Sequence, residues 1–297
     1  MFPREFHYHR ASSLKEAASM LSQLGEEAKL LAGGQSLIPL MKLRFANPRH
    51  LVDLNFVPEA AYLKEEDGRL YLGALTRHAE IEHSALSRKI PILHDCAAGI
   101  ADVQIRNRGT IGGSLAEADP SGDWATVLLT QRVEVRCLGG GGERTIALKD
   151  FVRDAYTTAL EHDELIKEIV VHKPAAGSGA AYVAFKRSAP VYPTASAAVH
   201  LEMDGEVCKD AAIVLGCVGL TAVKASEAEG ALRGQKVEEK SIARAMDAAH
   251  AAADPQTDMR GSADYKRTLV AALVKRAIDF ALRRARGEQV EVSHIYA

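Results

Sequence analysis

Apolar residues recur with helical spacing near the start of the chain, and two short apolar runs follow. Leucine and alanine occupy positions 14, 17, 18, 21 and 24, which form one face of a helix. Ser13 and Glu16 have the spacing of a capping box at its start, and Gly25 is suited to its end. The runs 29–32 and 51–54 predict strands separated by a loop. Residues 1–55 therefore predict a β–α–β-like arrangement.

Residues 56–176 mix strand patterns with short helical ones. Leu70–Leu75 predicts a strand, Thr76 is suited to cap a helix over 77–86, and a second helix is predicted after Pro91. The alternating segment 133–137 predicts another strand. Four glycines at 139–142 indicate a hairpin turn rather than a phosphate-binding loop, because no helical pattern follows them and G-x-G-x-x-G is absent.

The last third of the sequence places strands before helices. Segments 182–186, 195–203 and 211–218 predict strands, and Asp204-Gly205 predicts a hairpin between two of them. Alanine-rich amphipathic patterns predict helices over 222–233, 239–253 and 263–286. This order indicates an α+β class. A small-residue segment near Pro174–Gly179 suggests a linker, so domains are expected over 1–55, 56–176 and 177–290.

Composition and charge exclude several classes of protein. The 297 residues include 37 Lys and Arg against 39 Asp and Glu, a net charge of −2, so no basic surface for nucleic acid is expected. No apolar run approaches the ~20 residues of a membrane span, and the N-terminus is too polar for a secretory signal. The cysteines are scattered at 96, 137, 208 and 217 without C-x-x-C. This favours a reducing, cytoplasmic compartment and argues against a zinc or iron–sulfur site in this chain.

Two glycine-rich segments stand out as candidate chemistry. Ala32–Ser36, with sequence AGGQS, follows a predicted strand, and Thr110–Ser114 has the sequence TIGGS. Paired glycines allow a ligand to approach the main chain, and successive N–H groups can bind a diphosphate without a lysine. From the residues alone, a tight turn explains such a pair more often than a phosphate site does. His7 and His9 have H-x-H spacing, but no further ligands accompany them, so no metal site is predicted.

The flanks of both loops resemble one family. AGGQSLIPLMKL at 32–43 and QIRNRGTIGGSLAEADPSGD at 104–123 are similar to the FAD-binding medium subunits of molybdenum hydroxylases. That family includes carbon monoxide dehydrogenase, xanthine dehydrogenase and quinoline 2-oxidoreductase. The resemblance extends along nearly the whole chain. It implies a two-subdomain PCMH-type FAD-binding fold, followed by a C-terminal domain with a small antiparallel sheet and a helical bundle.

The resemblance also implies the FAD contacts. The first loop would wrap the diphosphate, the second would clamp the diphosphate and ribityl chain, and an aspartate after it would hydrogen-bond the FAD. An apolar residue, a basic residue and an aromatic residue would lie near the flavin ring. In this sequence these positions are Ala32, Gly33, Gly34, Gln35 and Ser36, then Thr110, Ile111, Gly112, Gly113 and Ser114, then Asp123, Ile166, Lys186 and Tyr192.

Two positions depart from the family pattern. Ser114 stands where many members have Asn, and Pro190-Val191 stands where members often have Gly-Asp. A shorter side chain at 114 suggests a bridging water, and the second change suggests a different loop near the pyrimidine end of the flavin.

Each single residue also has a simpler interpretation. Lys186 on a strand can be solvent-exposed, Tyr192 and Ile166 can be core residues, and Asp123 can cap the helix that starts near Trp124. Trp124 is expected in the core.

The function that the resemblance implies is electron transfer rather than substrate chemistry. No acid–base pair, nucleophile or molybdopterin-binding pattern is recognisable in the chain. Molybdopterin and two [2Fe–2S] clusters would belong to a large and a small partner subunit, in a dimer of heterotrimers, and the FAD would pass electrons to an external acceptor. Two alternatives are a free-standing MurB-like flavin reductase and a scaffold that has lost its flavin. Co-purification with partner subunits would distinguish them.

Overall fold

The structure is a computed structural model that describes residues 2–188, 191–292 and 294–296. Its first unit is a small parallel sheet with the strand order β1-β3-β2, which helix α1 covers. Ser13 caps that helix as predicted by accepting from the Glu16 N–H at 3.1 Å. The Glu16 carboxylate reaches Ser12 rather than Ser13, so half of the expected capping box is wrong. The elements are β1 (His7–Arg10), α1 (Leu14–Leu24), β2 (Ala28–Leu31), α2 (Leu37–Leu43) and β3 (His50–Asp53).

The second unit is an antiparallel sheet of order β4-β5-β10-β6-β7 with short helices beside it. Thr76 does not cap the third helix, because that helix begins at His78 and the buried Thr76 hydroxyl donates to the Tyr62 carbonyl at 2.8 Å. The glycines at 139–142 form the β6–β7 hairpin turn, as predicted. The elements are β4 (Leu63–Glu66), β5 (Arg69–Gly73), α3 (His78–His83), α4 (Pro91–Gly99), α5 (Val103–Arg106), α6 (Ile111–Glu117), α7 (Asp123–Leu128), β6 (Val133–Gly139), β7 (Gly142–Ala147), β8 (Val152–Asp154), β9 (Thr157–Thr158) and β10 (Leu165–His172).

The third unit is a sheet of order β14-β13-β12-β11-β15 followed by helices. The Asp204-Gly205 hairpin is confirmed, with φ of 59° at Gly205. The helix predicted over 222–233 begins only at Ser226, because Val223 and Lys224 form an edge strand. The elements are β11 (Ser178–Lys186), β12 (Ala195–Asp204), β13 (Val207–Gly216), β14 (Val223–Lys224), α8 (Ser226–Leu232), α9 (Glu239–Ala252), α10 (Ala263–Ala285) and β15 (Ile295–Tyr296).

Both faces of the third sheet are buried, and its sequence shows why. On β11, Tyr182 and Ala184 face a core shared with α4 and α7, whereas Ala181 and Val183 face the C-terminal helices. Side chains of a strand alternate between faces, so a strand covered on both sides is apolar throughout. Gly179 allows the backbone of helix α10 to pack directly on strand β11, because a Cβ at this position would lie 2.0 Å from the Ala281 carbonyl oxygen.

This contact predicts the effect of a single methyl group. We expect Gly179→Ala to lower the free energy of unfolding by about 2 kcal/mol, because α10 or β11 must move to avoid backbone atoms. Gly230→Ala is the matched control: Gly230 lies in helix α8 with open space around its Cα. It should raise stability by about 0.8 kcal/mol through helix propensity. Urea unfolding of both variants measures the difference, and equal effects would contradict this packing.

Candidate functional site

The two glycine loops lie against each other where strand β2 ends and helix α6 begins. A Cβ on Gly33 would lie 2.3 Å from the Arg108 carbonyl oxygen and 2.8 Å from the Gly109 Cα. A Cβ on Gly112 would lie 2.6 Å from the Ala74 carbonyl oxygen. Real Cβ atoms do not approach backbone this closely, so these positions require glycine. The first loop can therefore pack on the segment before the second loop only because Gly33 has no side chain, and Gly112 allows the second loop to pack on Ala74 in the same way.

Two side chains that the sequence analysis missed tie these loops together. Asn55 donates from Nδ2 to the Ala32 carbonyl at 3.0 Å. Arg77 donates from Nη2 to Asn55 Oδ1 at 2.5 Å and from Nη1 to the Arg108 carbonyl. Asn55 lies two residues after the end of strand β3, so a polar residue just beyond a buried parallel strand was the available signal. Nothing in the local pattern marks Arg77.

The two loops differ in their free hydrogen-bond donors. In the second loop, Gly112 donates to Ala74 O at 2.9 Å, Gly113 to Thr110 Oγ1 at 3.1 Å and Ser114 to Thr110 O at 3.0 Å. Residues 33–36 of the first loop have no such partner for their N–H groups within the described residues. Successive unpartnered amides at a cavity form a concave site for an anion. The first loop thus has the donors that an anionic ligand needs.

Both loops line one cavity of about 640 Å³. Thirteen of the fourteen residues that the sequence analysis singled out line it, and the exception is Ile111, which is fully buried in the hydrophobic core. Ser114 and Ile166 are among the lining residues, and Ile166 is also a core residue. Segment 160–165 forms a wall that was not anticipated. The lining residues drawn from the prediction are Ala32, Gly33, Gly34, Gln35, Ser36, Thr110, Gly112, Gly113, Ser114, Asp123, Ile166, Lys186 and Tyr192.

A buried cation lies at the end of the cavity next to strand β11. Lys186 borders the cavity but has no exposed surface, and its ammonium donates to the Gly99 carbonyl, so the solvent-exposed interpretation is wrong. Asp123 is the first residue of helix α7 rather than its cap. It accepts a hydrogen bond of 2.5 Å from the Tyr182 hydroxyl. Burial and the Asp123 carboxylate raise the pKa of Tyr182 well above its usual value, which keeps this hydroxyl a donor.

Tyr192 lies at the mouth of the same end and is not a core residue. Its side chain is 42% exposed, and the Arg260 guanidinium lies 5.8 Å from the ring centroid. Partial burial and the nearby Asp119 raise the pKa of its hydroxyl. Val191 lines the cavity beside it, whereas Pro190 lies outside the described residues. The consequence of the Pro190-Val191 departure therefore stays a prediction.

Two histidine contacts lie outside the loops: His78 contacts Trp124, and His9 contacts His50. Trp124 is fully buried, as predicted, and its Nε1 donates to His78 Nδ1 at 3.1 Å. Burial lowers the pKa of His78 to about 3, so it is a neutral acceptor there. His9 Nε2 lies 3.0 Å from His50 Nδ1. In the part of the chain that the structure describes, no group of three His, Cys, Asp or Glu residues is arranged to hold a metal ion.

No helix among the described ranges is both long enough and apolar enough to cross a membrane.

Comparison with known proteins agrees with this geometry. The family model for the FAD binding domain in molybdopterin dehydrogenase matches residues 4–174, and the model for the CO dehydrogenase flavoprotein C-terminal domain matches 180–281. The carbon monoxide dehydrogenase medium chain of Hydrogenophaga pseudoflava is 39% identical over 285 residues, covering 96% of this chain and 99% of the relative.

Two further similarities cover nearly the whole chain. Subunit alpha of the 6-hydroxypseudooxynicotine dehydrogenase complex of Paenarthrobacter nicotinovorans is 39% identical over 297 residues, covering 99% of this chain and 100% of the relative. A solved carbon monoxide dehydrogenase structure from Hydrogenophaga pseudoflava superposes with a TM-score of 0.93 at 41% identity, covering 96% of this chain and 99% of that one. The family resemblance and the α+β fold with a C-terminal domain are thereby confirmed.

Two carboxylates in the cavity wall predict opposite effects of pH on stability. Burial and then the Asp119 charge raise the pKa of Glu117 above its usual 4.5, although Ser36 donates to it. Glu164 accepts two bonds of 2.6 Å from Arg144, which lower its pKa. Because the pKa of Glu117 is raised in the folded state, folding is favoured when its carboxyl group is protonated. Because the pKa of Glu164 is lowered, folding is favoured when its carboxyl group is ionised.

We therefore expect Glu117→Gln to be more stable than the parent at pH 8, with an advantage that shrinks as pH falls toward 4.5. Glu164→Gln should be less stable at pH 8, with a deficit that shrinks as pH falls below 4.5. Chemical unfolding from pH 8 downward measures both differences. A pH-independent difference for either variant would contradict its assigned shift.

Proposed function

Because the chain belongs to the family of FAD-binding medium subunits of molybdenum hydroxylases, we propose that it is the electron-transfer subunit of such an oxidoreductase. It would receive electrons from [2Fe–2S] clusters on a partner subunit and deliver them to an external acceptor. The observation that carries this proposal is the row of N–H groups at residues 33–36, which have no partner among the described residues and belong to a loop that lines a cavity of about 640 Å³. Such a row can bind a diphosphate without a lysine.

The residues present are suited to FAD along the length of the cavity. The diphosphate would lie between the first loop and Gly113, whose N–H is already held by Thr110. Ser114 would offer a hydroxyl, and Asp123 would accept from ribityl hydroxyls. Bound FAD supplies the two-electron chemistry that no side chain of this subunit provides.

The buried Lys186 ammonium favours one orientation of the cofactor. A cation in a site shielded from water stabilises negative charge that develops nearby. We therefore place the redox-active ring beside Lys186, Asp123 and Tyr192. The adenosine half would then lie toward the wall formed by segment 160–165, at Leu165. Ile166, which also lines the cavity, would contact the cofactor near the flavin ring. Tyr192, partly exposed at the mouth, would cover the ring and limit access of solvent.

The remaining features of the proposal concern assembly. We infer a large molybdenum-binding subunit and a small [2Fe–2S] subunit as partners, in a dimer of heterotrimers, and a cytoplasmic location. Four free cysteines in the described residues support a reducing compartment. Three clusters of core residues support three domains with limits at 1–55, 56–176 and 177–290, but two clusters cross these limits. The first cluster includes Val57, Ala60, Leu75, Leu138 and Leu165, and the middle cluster extends into β11 and β12.

The proposal is tested on the complex captured through a tag on this chain. FAD, molybdenum and iron should co-purify with a large and a small partner. After anaerobic reduction with dithionite, removal of FAD should slow electron delivery to the acceptor at least a hundredfold, and added FAD should restore it. A lone chain that oxidises NADPH would favour the free-standing reductase instead. A captured complex without FAD would favour the scaffold.

The cavity itself predicts one substitution with a matched control. Gly113→Val places a side chain between the loops, where the nearest neighbours of a Cβ are Thr110 Oγ1 at 2.7 Å and Ala32 Cβ at 3.8 Å. We expect a tenfold or greater rise in the Kd for FAD, equivalent to at least about 1.4 kcal/mol. Gly141→Val, on the exposed β6–β7 hairpin, should leave the Kd unchanged. Fluorescence titration measures both, and a wild-type Kd for Gly113→Val would contradict the assigned diphosphate position.

A further inference from the structure

The C-terminal segment returns from helix α10 to the strand that carries Lys186. Helix α10 ends at Ala285, and β15 pairs in parallel with β11 at Phe185 and Lys186. Arg284 holds the segment on the way by donating from Nη2 to the Val290 carbonyl at 2.7 Å. The same guanidinium makes a buried ion pair with Asp95 of α4 at 2.6 Å. The tail is therefore part of the packed structure beside the cavity.

The His294 side chain holds this C-terminal segment against α4 and β11. The Ala184 N–H donates to its Nδ1 at 3.3 Å, so Nε2 carries the proton and donates to the Asp95 carbonyl at 2.9 Å. Its ring meets Tyr182 edge-on, with centroids 5.7 Å apart. Burial and the Lys186 charge lower the pKa of His294, in agreement with a neutral ring that uses both nitrogens. The imidazole thus links α4 to β11.

Gly99 connects His294 to Lys186. A Cβ on Gly99 would lie 2.3 Å from His294 Nε2, so the ring packs directly on the Gly99 Cα. The carbonyl of the same residue accepts from the Lys186 ammonium. Ile100 and Ala101 follow and line the cavity, with φ of 43° at Ala101. One backbone unit therefore contacts the imidazole on one side and the buried cation on the other.

Resting on the flavin site proposed above, we propose that His294 is a positioning residue for the redox potential of the bound FAD. By packing on Gly99, it fixes the carbonyl that holds the Lys186 ammonium at the cavity wall. A fixed, desolvated cation stabilises added negative charge more strongly than one that can move away. Loss of His294 should therefore weaken the binding of reduced FAD more than that of oxidised FAD.

The test compares FAD potentials in the full-length chain. We expect His294→Ala to lower the ratio of affinities for reduced over oxidised FAD about tenfold, which is ~30 mV for a two-electron couple. Glu288→Gln is the control in the same tail: it removes a surface ion pair with Arg283 of 2.7 Å and should leave the potential unchanged. Spectroelectrochemical titration gives the potentials. As an independent readout, the backbone amides of Ala184 and Lys186 should exchange hydrogen faster in His294→Ala than in the wild-type chain when both are free of FAD.

A substitution at Gly99 tests the same contact between Gly99 and the His294 imidazole. Gly99→Ala should displace the imidazole and shift the potential in the same direction, and the double variant should shift it less than the sum, because His294→Ala makes room for the methyl group. If His294→Ala does not fold, Gly99→Ala carries the test alone. His294→Gln is the conservative variant: its amide can accept from Ala184 and donate to the Asp95 carbonyl, so it should shift the potential less than His294→Ala does.

Folded variants that bind FAD at the wild-type potential, or shifts that simply add, would overturn this inference alone. Failure of the wild-type chain and its complex to bind FAD would overturn the proposed function with it.

Discussion

The close approach of two backbone segments determines the candidate site. Gly33 lies against the Arg108 and Gly109 backbone with no room for a Cβ, and this contact joins the end of β2 to the start of α6. That contact brings the first loop, whose N–H groups at residues 33–36 have no partner in the described part of the chain, to the same cavity as Gly113. Asn55 and Arg77 hold it by bonding the Ala32 and Arg108 carbonyls. A substitution there changes the site without touching a ligand.

The far end of the cavity depends on a different constraint, the burial of a cation. Lys186 is on a strand that is covered on both faces, and burying an ammonium costs free energy unless polar groups compensate. The Gly99 carbonyl is one such group, and the Asp123–Tyr182 bond lies in the same region of the core. A desolvated cation next to a cavity stabilises negative charge on whatever binds there. The redox tuning that we propose would therefore use residues that also compensate the burial of this cation.

Local patterns in the sequence predict much of this fold and part of the site. Helix α1, the glycine turn at 139–142 and the long strands follow from spacing that operates within a few residues. Helix α2 was missed because Pro39 breaks the pattern, although proline is tolerated in a first helical turn. The burial of Lys186, the Arg77 bridge and the Ser36–Glu117 bond join residues 31 to 87 positions apart. Only the tertiary fold brings such residues together, whereas the proposed role of the two glycine loops follows from their resemblance to the family.

The most direct test of this account is an experimental structure of the chain with FAD bound. We expect the diphosphate at the N–H groups of residues 33–36, opposite Gly113, with the redox-active ring beside Lys186 and the adenosine half toward Leu165. A diphosphate bound elsewhere, or a ring at the Leu165 wall, would contradict the central claim that unpartnered amides and one buried cation together orient the cofactor.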